Sequence, residues 1–139
     1  QSDAAHVTIN IIAIDDPPTV ANSLPEINTI EDSSSKEYDL STVFTDVDNE
    51  NSLIQYQVNS ISNPDLLTAS VSNQTLKIDF YANKNGSADF YVTAISNGKT
   101  VQSQCHVNVS PVQDAPVANN IIIQTLESTS ISYQLEAFD

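Results

Sequence analysis

Leu76-Lys77-Ile78-Asp79-Phe80 alternates apolar and charged residues without a break. That period of two puts Leu76, Ile78 and Phe80 on one face of a half-buried strand and leaves Lys77 and Asp79 to solvent. Working outward, the same alternation recurs upstream in Leu67, Ala69 and Val71, and before that in Ile54, Tyr56 and Val58. Downstream it returns in Phe90, Val92 and Ala94, then in the long run from Val101 to Val109. Ile27 to Ile30 and the Tyr38 and Leu40 region complete the set. Each run is short and bounded by Asn, Ser, Asp or Gly, and none shows a sustained helical period. About seven strands between residues 15 and 112 predict an all-β fold, an antiparallel β-sandwich of immunoglobulin type. With only Gly86 and Gly98 available, asparagine is expected to fill the remaining left-handed turn positions.

The strands are framed by a duplicated linker. Ile14-Asp15-Asp16-Pro17-Pro18-Thr19-Val20-Ala21-Asn22 returns as Pro111-Val112-Gln113-Asp114-Ala115-Pro116-Val117-Ala118-Asn119, with Asp16 and Asp114 98 residues apart. The strands leading in agree too, His6-Val7-Thr8-Ile9 against His106-Val107-Asn108-Val109. A domain-sized period signals a tandem array. Residues 1–14 then read as the last strand of one repeat, with an alternating run from Val7 to Ile14. Residues 15–112 read as a complete repeat. Residues 113–139 read as the start of a third, where Leu126-Glu127, Tyr133, Leu135, Phe138 and Asp139 follow the order of Ile30-Glu31, Tyr38, Leu40, Phe44 and the acidic loop. Proline in each linker withholds a backbone donor and favours extended backbone before it, giving a stiff connection.

Composition narrows the partners. Eighteen acidic residues against four lysines and no arginine give a net charge of −14, which repels nucleic acid and anionic membranes. There is no apolar run long enough to span a bilayer. The single cysteine, Cys105, lies on the apolar phase of its strand and is expected to be a buried small hydrophobe. His6 and His106 fall on the other phase and are expected to be exposed. No nucleophile–base arrangement or phosphate-cradling loop stands out, and a Glu31/Asp32 glycosidase pair lacks a cleft framework. A catalytic role is not expected.

The acids gather where repeats would meet, and clustered carboxylates hold hard cations; calcium takes six to eight oxygens. The first junction offers Asp15, Asp16, Glu31, Asp32, Asp46 and Asp48, and the second Asp114, Glu127 and Asp139; calcium is expected first at Asp16. Val112-Gln113-Asp114-Ala115-Pro116, Glu31-Asp32 before a serine-rich turn, Phe44-Thr45-Asp46-Val47-Asp48 and Gly86-Ser87-Ala88-Asp89-Phe90-Tyr91-Val92 together resemble the tandem cadherin-like repeats of bacterial surface proteins. The resemblance runs over essentially the whole chain, and it implies an extracellular adhesin whose sandwiches are rigidified by Ca2+ between domains. Gln113 and Ser96-Asn97-Gly98 depart from it, standing where Asn and Asp-Gly are usual. The expected function is a calcium-binding spacer or adhesion module at the cell surface. Its partners are neighbouring repeats, and beyond them homotypic contacts, a surface protein or a glycan. Two alternatives stand beside it. One is a carbohydrate- or protein-binding module on a secreted enzyme, for which Tyr91 is the outward-facing aromatic. The other is a filament subunit assembled by strand exchange, because the first strand resembles the one ending at Val109.

Overall fold

A computed structural model describes residues 4–118, 120–134 and 137–138. Seven strands form its body: β2 (Ile27–Ile30), β3 (Lys36–Asp39), β5 (Gln55–Asn59), β6 (Leu67–Ser72), β7 (Thr75–Phe80), β8 (Gly86–Ser96) and β9 (Lys99–Ser110). Two short ladders are added. One is β1 (Thr19–Val20) with β4 (Phe44–Thr45), the other β10 (Val117–Ala118) with β11 (Ala137–Phe138). A four-stranded sheet runs β2-β9-β8-β5 and a three-stranded sheet β3-β7-β6. Both feed one apolar core, the arrangement of a β-sandwich.

The alternation found in the sequence accounts for that core. Leu76 and Ile78 of β7, Phe90 and Val92 of β8, and Val107 and Val109 of β9 are all buried. Side chains of this size contribute roughly 1.5–3 kcal/mol each when fully buried. Phe44 closes the layer near one end, its ring 5.6 Å from that of Tyr56. Cys105 is buried with them, its Sγ 3.7 Å from the carbonyl of Pro25, and burial pushes its thiol up to about 11. It is a packing residue, as expected.

Turn chemistry follows the glycine shortage. Asn73, Asn83 and Asn97 all take positive φ, as do Asp32 and Ser60. β8 and β9 are joined by Asn97-Gly98 alone, with φ of 46° and 80°, the two-residue turn whose twist suits a hairpin.

Two expectations need correction. The sandwich is not wholly antiparallel, because β2 pairs with the end of β9 in parallel, from Ile27↔Val107 to Ile30↔Ser110. The chain first travels beside β9 without forming a ladder, Leu24 donating its N–H to Ser103 Oγ at 3.4 Å. It therefore joins β9 already running in the same direction. Val7 to Ile14 forms no strand and stays exposed, Ile11 to 89%. An alternating strand needs a neighbour to satisfy its backbone, and none of the described strands pairs with Val7–Ile14.

Candidate junction sites at the two poles

β8 and β9 run the length of the sandwich. Twelve residues of β9 at the usual rise per residue span roughly 35–40 Å. The turn before Lys99 marks one pole, where the chain comes in through Asp15-Asp16. Ser110 marks the other, where it leaves through Pro111–Asp114.

At the inlet pole the linker is tied to the loop after β4. Asp16 donates its N–H to Asp48 Oδ2 at 2.6 Å. The Asn49 amide bridges the two segments, 2.8 Å from Asp15 Oδ1 and 3.3 Å from Asp46 Oδ2. Asp46 is 8% exposed, and its Oδ1 accepts the N–H groups of Asp48 and Asn49 at 2.9 and 3.0 Å. The loop closes on itself because Asn51 Oδ1 takes the N–H of Asp46 at 2.9 Å. The Ser96 side chain, at the end of β8, does most to lower the Asp46 carboxyl. With the Asp48 and Asn49 donors it holds that group at about 2, against a burial effect acting the other way. The amides of Asn49 and Asn97 hold Asp15 below the ordinary carboxylate range, and Lys99 adds to them. Lys99 lies 3.0 Å from Asp15 Oδ2 and also donates to the Asp15 carbonyl.

Glu31 and Asp32 are not part of this cluster. β2 carries the chain toward the opposite pole before either residue is reached, so their grouping with Asp15 and Asp46 is wrong in space. Glu31 is buried at the outlet. Its Oε1 accepts the N–H of Val112 at 2.5 Å, its Oε2 the Asn85 amide at 3.2 Å, and its own N–H donates to Ser110. Asp32 Oδ1 accepts the N–H of Asn83 at 2.9 Å. Asp114 lines the same shallow cleft as Glu31, Asn83, Asn85 and Val112. Glu127 lies in an exposed turn, and Asp139 falls outside the described residues.

Among the described residues, no three His, Cys, Asp or Glu side chains are grouped to hold a metal ion, and no helix is long and apolar enough to cross a membrane. Sequence reasoning named the pole acids but missed their partners Asn49, Asn85, Ser96, Asn97 and Lys99. The Asn97-Gly98 turn was the available signal, since a two-residue turn after a long strand puts its flanks at one end of the sheet. His106 is exposed as expected, with Nδ1 2.8 Å from Asp89 Oδ1. Tyr91 is not the lone outward aromatic; Tyr81 is more exposed.

No protein-family model matches the chain, and no curated protein does. Among solved structures, an endo-fucoidan hydrolase of glycoside hydrolase family 107 superposes with a TM-score of 0.52 at 18% identity, over 69% of this chain and 14% of the enzyme. A second structure of an endo-fucoidan hydrolase of that family gives 0.52 at 17%, over 70% and 14%. The chain thus corresponds in fold to about a seventh of each.

Proposed function

We propose that this chain is a piece of an extracellular spacer or adhesion array built from immunoglobulin-like, cadherin-like repeats, and that calcium stiffens the junction at its outlet pole. One observation carries the reading: the chain comes into the sandwich and leaves it at opposite poles, through two linkers of like acidic, proline-containing sequence. Modules threaded this way extend end to end, and a junction acid then faces the next module rather than bulk solvent.

Strand connectivity supports the fold assignment. Taking β2, β3, β5, β6, β7, β8 and β9 as strands A to G, the sheets are AGFC and BED, the immunoglobulin pairing with the first strand moved beside G. The tandem reading, with residues 1–14 ending one repeat, 15–112 forming the next and 113–139 opening a third, has support in backbone register. Val20 pairs with Phe44 in β1–β4, and Val117 pairs with Phe138 in β10–β11. The same valine-to-phenylalanine pairing thus follows each linker.

For calcium, the outlet pole is a better fit than the first junction around Asp16, which the sequence alone favours. Glu31 is a buried carboxylate whose partners, Val112 and Asn85, are neutral, and a buried anion without a counter-charge favours a bound cation. Asp32 and Asp114 would supply further oxygens, with Glu127 and Asp139 following in the next repeat. Calcium bound there supplies electrostatic cross-linking and no chemistry; the module itself is non-catalytic. An ion that binds only the ordered junction stabilises it, by about 2.7 kcal/mol at a hundredfold excess over its Kd. Calcium is therefore expected to raise the melting temperature and narrow the solution-scattering dimensions. Identical melting and scattering in calcium and in chelator would sink the calcium assignment.

The fold likeness to part of a fucoidan hydrolase favours a second reading, a non-catalytic module carried by a secreted polysaccharide-degrading enzyme. Exposed Tyr81 and Tyr91 would then be its glycan contacts. Binding on a glycan array that disappears in Tyr81→Ala or Tyr91→Ala, with no response to calcium, would favour it over the spacer.

A further inference from the structure

We infer that the inlet pole carries its own cation, the ammonium group of Lys99, and that docking of the Asp15-Asp16 linker onto the sandwich is independent of divalent ions. The inference rests on reading residues 15–18 as an interdomain linker.

Most of the oxygens of Asp15, Asp46 and Asp48 are already engaged. Asp46 Oδ1 already accepts two backbone N–H groups, and Asp46 Oδ2 accepts the Asn49 amide. Asp48 Oδ2 accepts the Asp16 N–H, and Asp15 Oδ1 accepts Asn49. A calcium ion needs six to eight oxygens turned toward one centre. Here both carboxylate oxygens of Asp15 and of Asp46, and Oδ2 of Asp48, are turned toward nitrogen donors instead, which leaves the Asp16 carboxylate and Asp48 Oδ1, too few for a calcium shell. The one carboxylate oxygen of Asp15 without a hydrogen bond, Oδ2, faces the lysine at 3.0 Å, and the same ammonium reaches the Asp15 carbonyl. A lysine ammonium is a compact point charge with three donors, so it can hold side chain and main chain of one residue together.

The placement is built by the fold. Asn97-Gly98 sets Lys99 at the first position of β9, beside the incoming linker, and Asn97 itself adds a hydrogen bond to Asp15. Lysine is scarce, four in 139 residues against 18 acids, and among the described ion pairs Lys99 is the one lysine that meets a linker acid. Among the described residues Lys77 pairs with Asp79, and the ion pairs put no lysine on Glu31, Asp32 or Asp114. The described ion pairs therefore give the inlet linker a lysine and the outlet acids none.

The test follows backbone order of residues 15, 16 and 19 by nitrogen-15 relaxation in the whole 139-residue chain, in chelator and in millimolar calcium. In chelator the wild-type linker is expected to be as rigid as β8, with order parameters near about 0.85, and calcium is expected to leave it unchanged. Lys99→Met is expected to drop the same amides below about 0.6 while the β8 amides keep their values. A wild-type linker that is mobile in chelator and ordered only by calcium overturns the inference without any variant. So does a Lys99→Met linker as rigid as wild type. Calcium-induced shifts at Asp32 and Asp114 report separately on the outlet pole, so a failure of the calcium assignment there leaves the Lys99 result readable.

Discussion

The two poles are made of the same residue types and solve opposite problems. At the inlet, four aspartates from linker and loop meet Asn49, Ser96, Asn97 and Lys99, and most of their carboxylate oxygens have a donor. At the outlet, Glu31 is buried with neutral partners and no lysine among the described ion pairs, while Asp32 and Asp114 lie at the surface. The difference teaches that a count of acids does not identify a cation site. What matters is how many donors the fold has already supplied to each oxygen, and whether one of those donors is charged.

The comparison presumes one core that holds both poles, and removing that core is the harshest way to break it. Phe44→Ala deletes a fully buried ring beside the inlet loop and is expected to cost about 3–5 kcal/mol by denaturant unfolding. A loss that small-domain controls would call surface-like, below about 1 kcal/mol, would mean the inlet is not anchored to the shared core. Next in size is pH. Asp46 is held at about 2 in the folded protein, below its ordinary 3.8, so its contribution to stability is complete above about 4 and is lost as pH falls toward 2. Melting temperature followed across that window is expected to fall in the wild type and to fall less steeply in Asp46→Asn. Parallel curves would remove Asp46 from the inlet network. The smallest effect is expected away from both poles: Lys77→Ala breaks an exposed pair with Asp79 and is expected to change stability by less than about 0.5 kcal/mol.

Much of the fold was legible because it rests on alternation. β5 to β9 appear in the sequence as period-two runs, and the structure turns the apolar phase of each toward the core, buried or partly buried. Asparagine at the left-handed turns was legible for the same kind of reason, since two glycines are too few. The linkage of Asp15-Asp16 to Asp46-Asp48 could be read because both lie next to strand ends. Glu31 and Asp32 were misplaced because nearness in sequence was taken for nearness in space; β2 lies between, and it carries the chain to the far end. Val7–Ile14 shows the converse limit. Its pattern is that of a strand, yet pairing is a property of neighbours, and no described strand of residues 15–112 pairs with it. The carboxylate partners were invisible because Asn49, Asn85, Ser96 and Asn97 are ordinary turn residues until the sheet order places them.

The parallel contact between β2 and β9 bears on how such a module would carry load. Tension applied through the two linkers draws β2 toward the inlet and β9 toward the outlet, along the line of their shared ladder. The bonds from Ile27↔Val107 to Ile30↔Ser110 then lie across the direction of sliding and are strained together, not peeled one after another. Four residue pairs sheared in concert resist pulling better than the same four unzipped from one end. The sandwich would therefore behave under force as a stiff clamp rather than as a seam that opens.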